Sequence, residues 1–215
     1  MALWSCAATL TAILAGSAAP AHAQEDWTKR DAWQRPDEVL NALKVKAGSV
    51  VADVGAGSGY FTFHLAARVG SQGKVYAEDV RSDVLEEVRT RAAQEKLSQV
   101  KIVQGTENDP KLPADSLDAV LVMNAYHEFL EYDAMMQGLL HALKPGGLLA
   151  IIDAEAKPGE PRSNYQQRHR LPKEIALEDA ARNGFHFLRE LPGFTNENGG
   201  RTYYFLLFEK PAQSK

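Results

Sequence analysis

The sequence predicts a doubly wound α/β domain of three layers, a seven-stranded and mostly parallel sheet held between helices. Three observations carry this. From residue 36 onward, short apolar runs alternate with stretches of helical period, the pattern of strand–helix–strand crossovers that place helices on both faces of a parallel sheet. The first run, Val50 to Val54, carries an acid and then breaks into glycines at 55, 57 and 59 directly before an amphipathic stretch. The last two runs, Phe185 to Leu188 and Arg201 to Phe208, are separated by the turn-rich stretch Thr195 to Gly200 and read as a closing hairpin.

Element by element, a polar lead of residues 24–35 precedes Pro36-Asp37-Glu38, which opens a helix. Proline suits the first turn, and the acids complement the positive end of the macrodipole. Val39, Leu40 and Leu43 give that helix one apolar face, and Lys46-Ala47-Gly48 ends it before strand one. Tyr60 to Val69 reads as a helix burying Phe61, Leu65 and Ala66 or Val69, with Gly70 and Gly73 in the following turn. Strand two, Lys74 to Ala77, ends in Glu78-Asp79, and Ser82 caps a helix that keeps Val84, Leu85, Val88, Ala92 and Leu97 at helical spacing. Val100 to Val103, Leu117 to Met123 and Leu148 to Ile152 are the next strands. Asp133 to Leu143 is helical between the last two, closed by Lys144-Pro145-Gly146-Gly147. Residues 154–172 read as a long crossing loop, and Pro172 to Asn183 as the final helix, closed by Gly184.

With 215 residues, 45% hydrophobic and 24% charged, the chain has the composition of one globular domain. A net charge of -4 gives no general attraction to phosphate backbones, so nucleic acid is a disfavoured partner. Residues 1–23 contain no Asp, Glu, Lys or Arg, run apolar from Ala2 through Ala19 and end in Ala21-His22-Ala23. They are expected to be a secretory signal peptide, which leaves 24–215 as an exported mature domain without a membrane span. Because no basic residue precedes the apolar run, an uncleaved anchor or a misassigned start, with a cytoplasmic protein, is the alternative. The one cysteine, Cys6, falls inside that segment.

Glycine spacing narrows the ligand class. The dinucleotide fingerprint G-x-G-x-x-G needs glycine at position 60, where Tyr60 stands, and a phosphate P-loop needs a Lys-Ser/Thr pair that is absent. The loop therefore suits a nucleotide-type cofactor without phosphates. Asp53 followed by Gly55, Gly57 and Gly59 resembles the first motif of the class I S-adenosylmethionine-dependent methyltransferases. The resemblance runs from Trp33 to Glu209 and includes Asp79 one strand later and Leu143-Lys144-Pro145-Gly146-Gly147 before strand five. It implies a Rossmann-like core without an added substrate domain, a seventh strand inserted antiparallel, S-adenosylmethionine as cofactor and a small-molecule methyl acceptor.

Ligands of open α/β sheets sit beyond the carboxyl ends of the strands, where Asp53, Asp79, Thr106, Glu107 and Asn124 fall. The resemblance places Asp53 near the amino-acid end of the cofactor and Asp79 on the ribose diol, for which a carboxylate offers two acceptor oxygens. Glu78 competes for that role. Gly105 to Pro113 resembles the adenine-contacting segment of relatives, with Thr106 in place of their aspartate and Glu107 or Asp109 as the remaining contacts. Tyr126, His127 and Glu128 follow strand four, where relatives place the residues closest to the transferred methyl. Methyl transfer is an in-line displacement governed by alignment, with a base needed where the acceptor atom carries a proton. His127 is the candidate base and Glu128 its orienting partner. A purely structural role, with His127 capping or packing at the strand end and Tyr126 in the core, is the alternative.

Arg162, Arg168, His169 and Arg170 form either a lid over a polar acceptor or a solvated linker. No metal site is expected, because the histidines are scattered and neither H-E-x-x-H nor calcium-loop spacing occurs. No G-x-S-x-G surrounds a serine. A non-catalytic module for an adenosyl-like ligand is the alternative function, and Tyr60 disfavours a nicotinamide-dependent oxidoreductase.

Overall fold

Residues 27–196 and 200–212 are described by a computed structural model, so the expected signal segment lies outside the described residues. Seven strands form one sheet: β1 (Val50–Val54), β2 (Lys74–Asp79), β3 (Val100–Gln104), β4 (Leu117–Met123), β5 (Leu143–Ala154), β6 (His186–Asn196) and β7 (Arg201–Glu209). Their order across the sheet is β3-β2-β1-β4-β5-β7-β6. The pairs β1 with β2, β2 with β3, β1 with β4 and β4 with β5 are parallel, and β7 runs antiparallel to both β5 and β6. The doubly wound, mostly parallel sheet with a reversed last strand is the architecture expected.

Strand residues of period two feed two cores. On β4, Ala119, Leu121 and Met123 face one layer, while Val120 and Val122 face the other. The first layer contains α2 (Pro36–Ala42), α3 (Tyr60–Val69) and α4 (Ser82–Gln94); the second contains α5 (Tyr132–Ala142) and α7 (Lys173–Arg182). Because both faces are covered, the central strands carry apolar residues at nearly every position. Winding reverses between β1 and β4, so the loops leaving their carboxyl ends diverge and open a crevice.

Several boundaries differ from expectation. The lead before Pro36 contains a helix, α1 (Thr28–Gln34), and the crossing loop contains another, α6 (Arg162–Gln167). Ser82 is the first residue of α4, and Arg81 occupies the N-cap in extended conformation. Strand β5 begins at Leu143 rather than Leu148, taking in the Lys-Pro-Gly-Gly stretch with a register shift opposite Leu117 and Ala119. Strand β6 runs on from Leu188 to Asn196 with two irregularities against β7. No helix among the described residues is long and apolar enough to cross a membrane.

Candidate active site

A cavity of about 470 Å³ occupies the crevice at the carboxyl ends of β1, β2 and β4, within the size range of small-ligand sites. Asp53, Gly55, Gly57, Asp79, Thr106, Glu107, Asn124 and Glu128 line it, together with Arg30, Trp33 and Gln34 from α1. Gly59, Tyr126 and His127 do not.

The glycine loop divides its labour. Gly57 has φ +52, and a methyl group there would meet no protein atom within 4 Å, since that side is open crevice. Gly59 has φ +82, and a methyl there would press on Phe63 at 2.8 Å and Val88 at 3.0 Å, so packing against α3 and α4 requires it. The Gly57 N–H donates to Asp79 Oδ2 at 3.0 Å, and the Arg81 N–H donates to Asp79 Oδ1 at 3.0 Å. Each carboxylate oxygen keeps further acceptor capacity.

Behind this rim lie two buried acids. Asp53 accepts from Thr62 Oγ1 at 2.7 Å, and burial raises its pKa to about 6 despite that bond. Glu78 is raised further, to about 8, first by burial and then by the neighbouring Asp79, with Asp53 and Asp109 adding to it. One Glu78 carboxylate oxygen and the Gln34 side-chain oxygen are buried without a hydrogen-bond partner among the described residues.

Beyond β4 the chain turns through Asn124, at φ +55, whose N–H donates to Ile152 O at 2.7 Å. A single 3-10 turn, Tyr126–Glu128, follows and reverses the expected order of its residues. Glu128 is exposed and lines the crevice, whereas the His127 side chain is fully buried behind it. His127 Nδ1 lies 2.8 Å from Asp153 Oδ1, and the His127 N–H donates to Asp153 Oδ2 at 2.9 Å. Burial pulls the imidazole pKa down, but the bonds to Asp153 and Glu128 outweigh it and raise the value to about 9. Tyr126 is core: its hydroxyl donates to Asp179 Oδ2 at 2.8 Å, and Arg162 binds the same oxygen at 2.5 Å. Arg162 is thereby tied to α7, and Arg168 pairs with Glu160.

His169 is brought beside His127 and Glu128, 41 positions distant in sequence from the latter, so a cluster forms where scattered histidines promised none. Asp153 went unpredicted although it carries the signal that singled out Asp53 and Asp79, an acid at the carboxyl end of an apolar strand. Arg30, Trp33, Gln34 and Tyr203 also face the crevice unpredicted. They sit on a helix hidden in the polar lead and on a strand remote in sequence, and no local pattern marks them.

Residues 51–147 match a family model. It describes a methyltransferase domain. Among curated relatives, a demethylmenaquinone methyltransferase of Listeria monocytogenes is 26% identical over 121 residues, covering 56% of this chain and 50% of the relative. The chain thus spans about half the length of such relatives. Among solved structures, an S-adenosylmethionine-dependent methyltransferase from Aquifex aeolicus superposes with TM-score 0.71 at 24% identity, over 85% of this chain and 93% of that one. The cyclase SpnF superposes with TM-score 0.72 at 19% identity, over 83% and 81%. A methyltransferase-like fold is therefore shared by proteins named for different chemistries, and function has to be argued from the crevice.

Proposed function

We propose that this chain is an S-adenosylmethionine-dependent methyltransferase acting on a small-molecule acceptor. The observation that carries it is the charge of the crevice. Asp53, Asp79, Glu107 and Glu128 line it against Arg30 and Arg81, with no lysine among the described lining residues and no phosphate-type loop. Such a lining repels a pyrophosphate and suits a nucleoside that carries positive charge on sulfur and on an amino group. The open side of Gly57 leaves room for close backbone approach, and the unpartnered oxygens of Glu78 and Gln34 await donors. The match over residues 51–147 supports the same reading.

The bound cofactor supplies an electrophilic methyl on a sulfonium. In this reading Asp79 accepts both ribose hydroxyls, the loop at Asp53, Gly55 and Gly57 holds the amino-acid end, and Thr106 and Glu107 flank the adenine. Asn124 stands between cofactor and acceptor. Glu128 meets the acceptor directly, while His127, fixed by Asp153, positions Glu128 at 3.5 Å from Nε2 to Oε1. Tyr126 and Gly59 serve the scaffold. The net charge of -4 favours a small acceptor over nucleic acid, and residues 1–23 act as an export signal.

Calorimetry on the purified chain tests the cofactor assignment. S-adenosylmethionine and S-adenosylhomocysteine bind at about micromolar Kd, NAD does not, and Asp79→Asn weakens binding about 10- to 100-fold, the loss expected for charge-assisted bonds to a diol. Absence of binding by both sulfur nucleosides overturns the proposal.

A further inference from the structure

We propose that His127, Glu128 and His169 form a binding site for a divalent metal ion of the zinc class, three-coordinate from the protein and open at a fourth position. The distances are those of a coordination shell. His127 Nε2 lies 3.3 Å from His169 Nδ1 and 3.5 Å from Glu128 Oε1, and His169 Nδ1 lies 3.4 Å from the same oxygen. Zinc bonds of about 2.0–2.2 Å to nitrogen and oxygen put tetrahedral ligand atoms about 3.3–3.5 Å apart, whereas octahedral neighbours would stand about 3.0 Å apart. Two imidazoles and one carboxylate with a vacant fourth position is also the ligand set of catalytic rather than structural zinc.

The proton bookkeeping of His127 agrees with this. Its Nδ1 faces Asp153 Oδ1 at 2.8 Å, and that buried carboxylate also receives the His127 and Ala154 N–H groups at 2.9 and 2.7 Å. A carboxylate so placed accepts the Nδ1–H bond and leaves Nε2 as the nitrogen turned toward Glu128 and His169, the one a metal ion takes by displacing its proton; this is the carboxylate–histidine arrangement that orients metal ligands. His169 is presented from the turn after α6 at φ +50, a left-handed conformation costly for a side chain of its size. Its N–H donates to Gln166 O at 3.0 Å, and its carbonyl accepts from Arg201 at 3.4 Å. The third ligand thus comes from α6, the helix hidden inside the crossing loop. Glu128 also lines the crevice, so an ion held here stands at its wall. The site is a property of these three side chains and does not depend on which nucleoside the crevice takes.

Glu128 and His169 have side chains 61% exposed, so substituting them leaves the core intact; His127 and Asp153 are fully buried and are not the variants of choice. The untagged full chain, stripped with chelator, is titrated with Zn²⁺ alone by calorimetry. One ion binds per chain, and His169→Ala and Glu128→Gln each weaken it at least about 100-fold without moving the circular dichroism spectrum. Co²⁺ in place of Zn²⁺ gives the intense visible bands of a tetrahedral site, lost in His169→Ala. No stoichiometric uptake, or equal affinity in both variants, overturns the proposal and leaves His127 and His169 as rings sharing a hydrogen bond. The titration contains no S-adenosylmethionine, so its failure and that of the cofactor assignment are read separately.

Discussion

Gly57 and Gly59 stand two positions apart in one loop, both left-handed, yet a methyl group on each meets a different fate. On Gly57 it points into open crevice; on Gly59 it strikes Phe63 and Val88. Gly57→Ala therefore carries only the left-handed backbone cost, about 1–2 kcal/mol, and its main effect is loss of ligand affinity. Gly59→Ala adds overpacking of about 1–3 kcal/mol and acts chiefly on stability. Thermal denaturation beside calorimetry separates them: equal loss of Tm in the two variants would refute this division. In the sequence the three glycines read as one motif, since spacing says that the backbone turns but not which side faces a ligand. The acids at strand ends were legible for Asp53 and Asp79 because glycines or a capped helix follow them. Asp153 lacks such punctuation, and the hydrogen bonds that give it meaning come from a turn 26 residues earlier.

Among the elements, those with long periodic patterns were legible: α3, α4, α5, α7 and strands β1 to β4 fall within a few residues of their expected bounds. Helices α1 and α6 were not: at seven and six residues they have no stability of their own, and they lack the Pro-Asp-Glu start and apolar face that made the equally short α2 legible. Tertiary contacts make α1. Trp27 at its N-cap packs on Tyr60, Phe63 and His64 at centroid distances of 5.1, 5.8 and 5.9 Å, and Arg30 lies over the Tyr60 ring. The Tyr60 hydroxyl donates to Asp31 Oδ1 at 2.5 Å, an oxygen also 3.0 Å from His64 Nε2. Since α1 walls the crevice, this tether holds one of its walls in place. Tyr60→Phe keeps the ring and removes the tether, worth about 1 kcal/mol at a partly exposed site. Amide exchange across Thr28–Gln34 then accelerates about five-fold while β1 and β4 hold their protection. Unchanged exchange there would mean that aromatic packing alone seats the helix.

At the scale of the whole molecule, the winding reversal between β1 and β4 gathers strand-end acids into one crevice, and the cost is charge crowded in a buried place. Glu78 bears most of it. Its carboxyl is raised from 4.5 to about 8 by burial first, then by Asp79, Asp53 and Asp109, with the Gly55 N–H opposing. Between those values the folded chain keeps a proton that the unfolded chain has released. Stability is therefore greatest below about pH 4.5 as far as this group is concerned and declines from there until the folded carboxyl itself ionises at about pH 8, since over that window unfolding releases a proton. Asp53, raised to about 6, acts in the same sense over a lower window. Lowered carboxyls such as Asp133, held down by Asn183 and Arg182, act oppositely and only in acid, below the window of Glu78. Glu78→Gln removes the titration while keeping the shape. Its Tm advantage over the parent is small at pH 5 and widens toward pH 8.5 by roughly 8–16 °C, since about 4 kcal/mol accrues over that range at about 2–4 °C per kcal/mol for a chain of this size. A Tm difference that stays constant across that range would show that Glu78 is ionised throughout and is neutralised within the crevice by a partner other than its own proton.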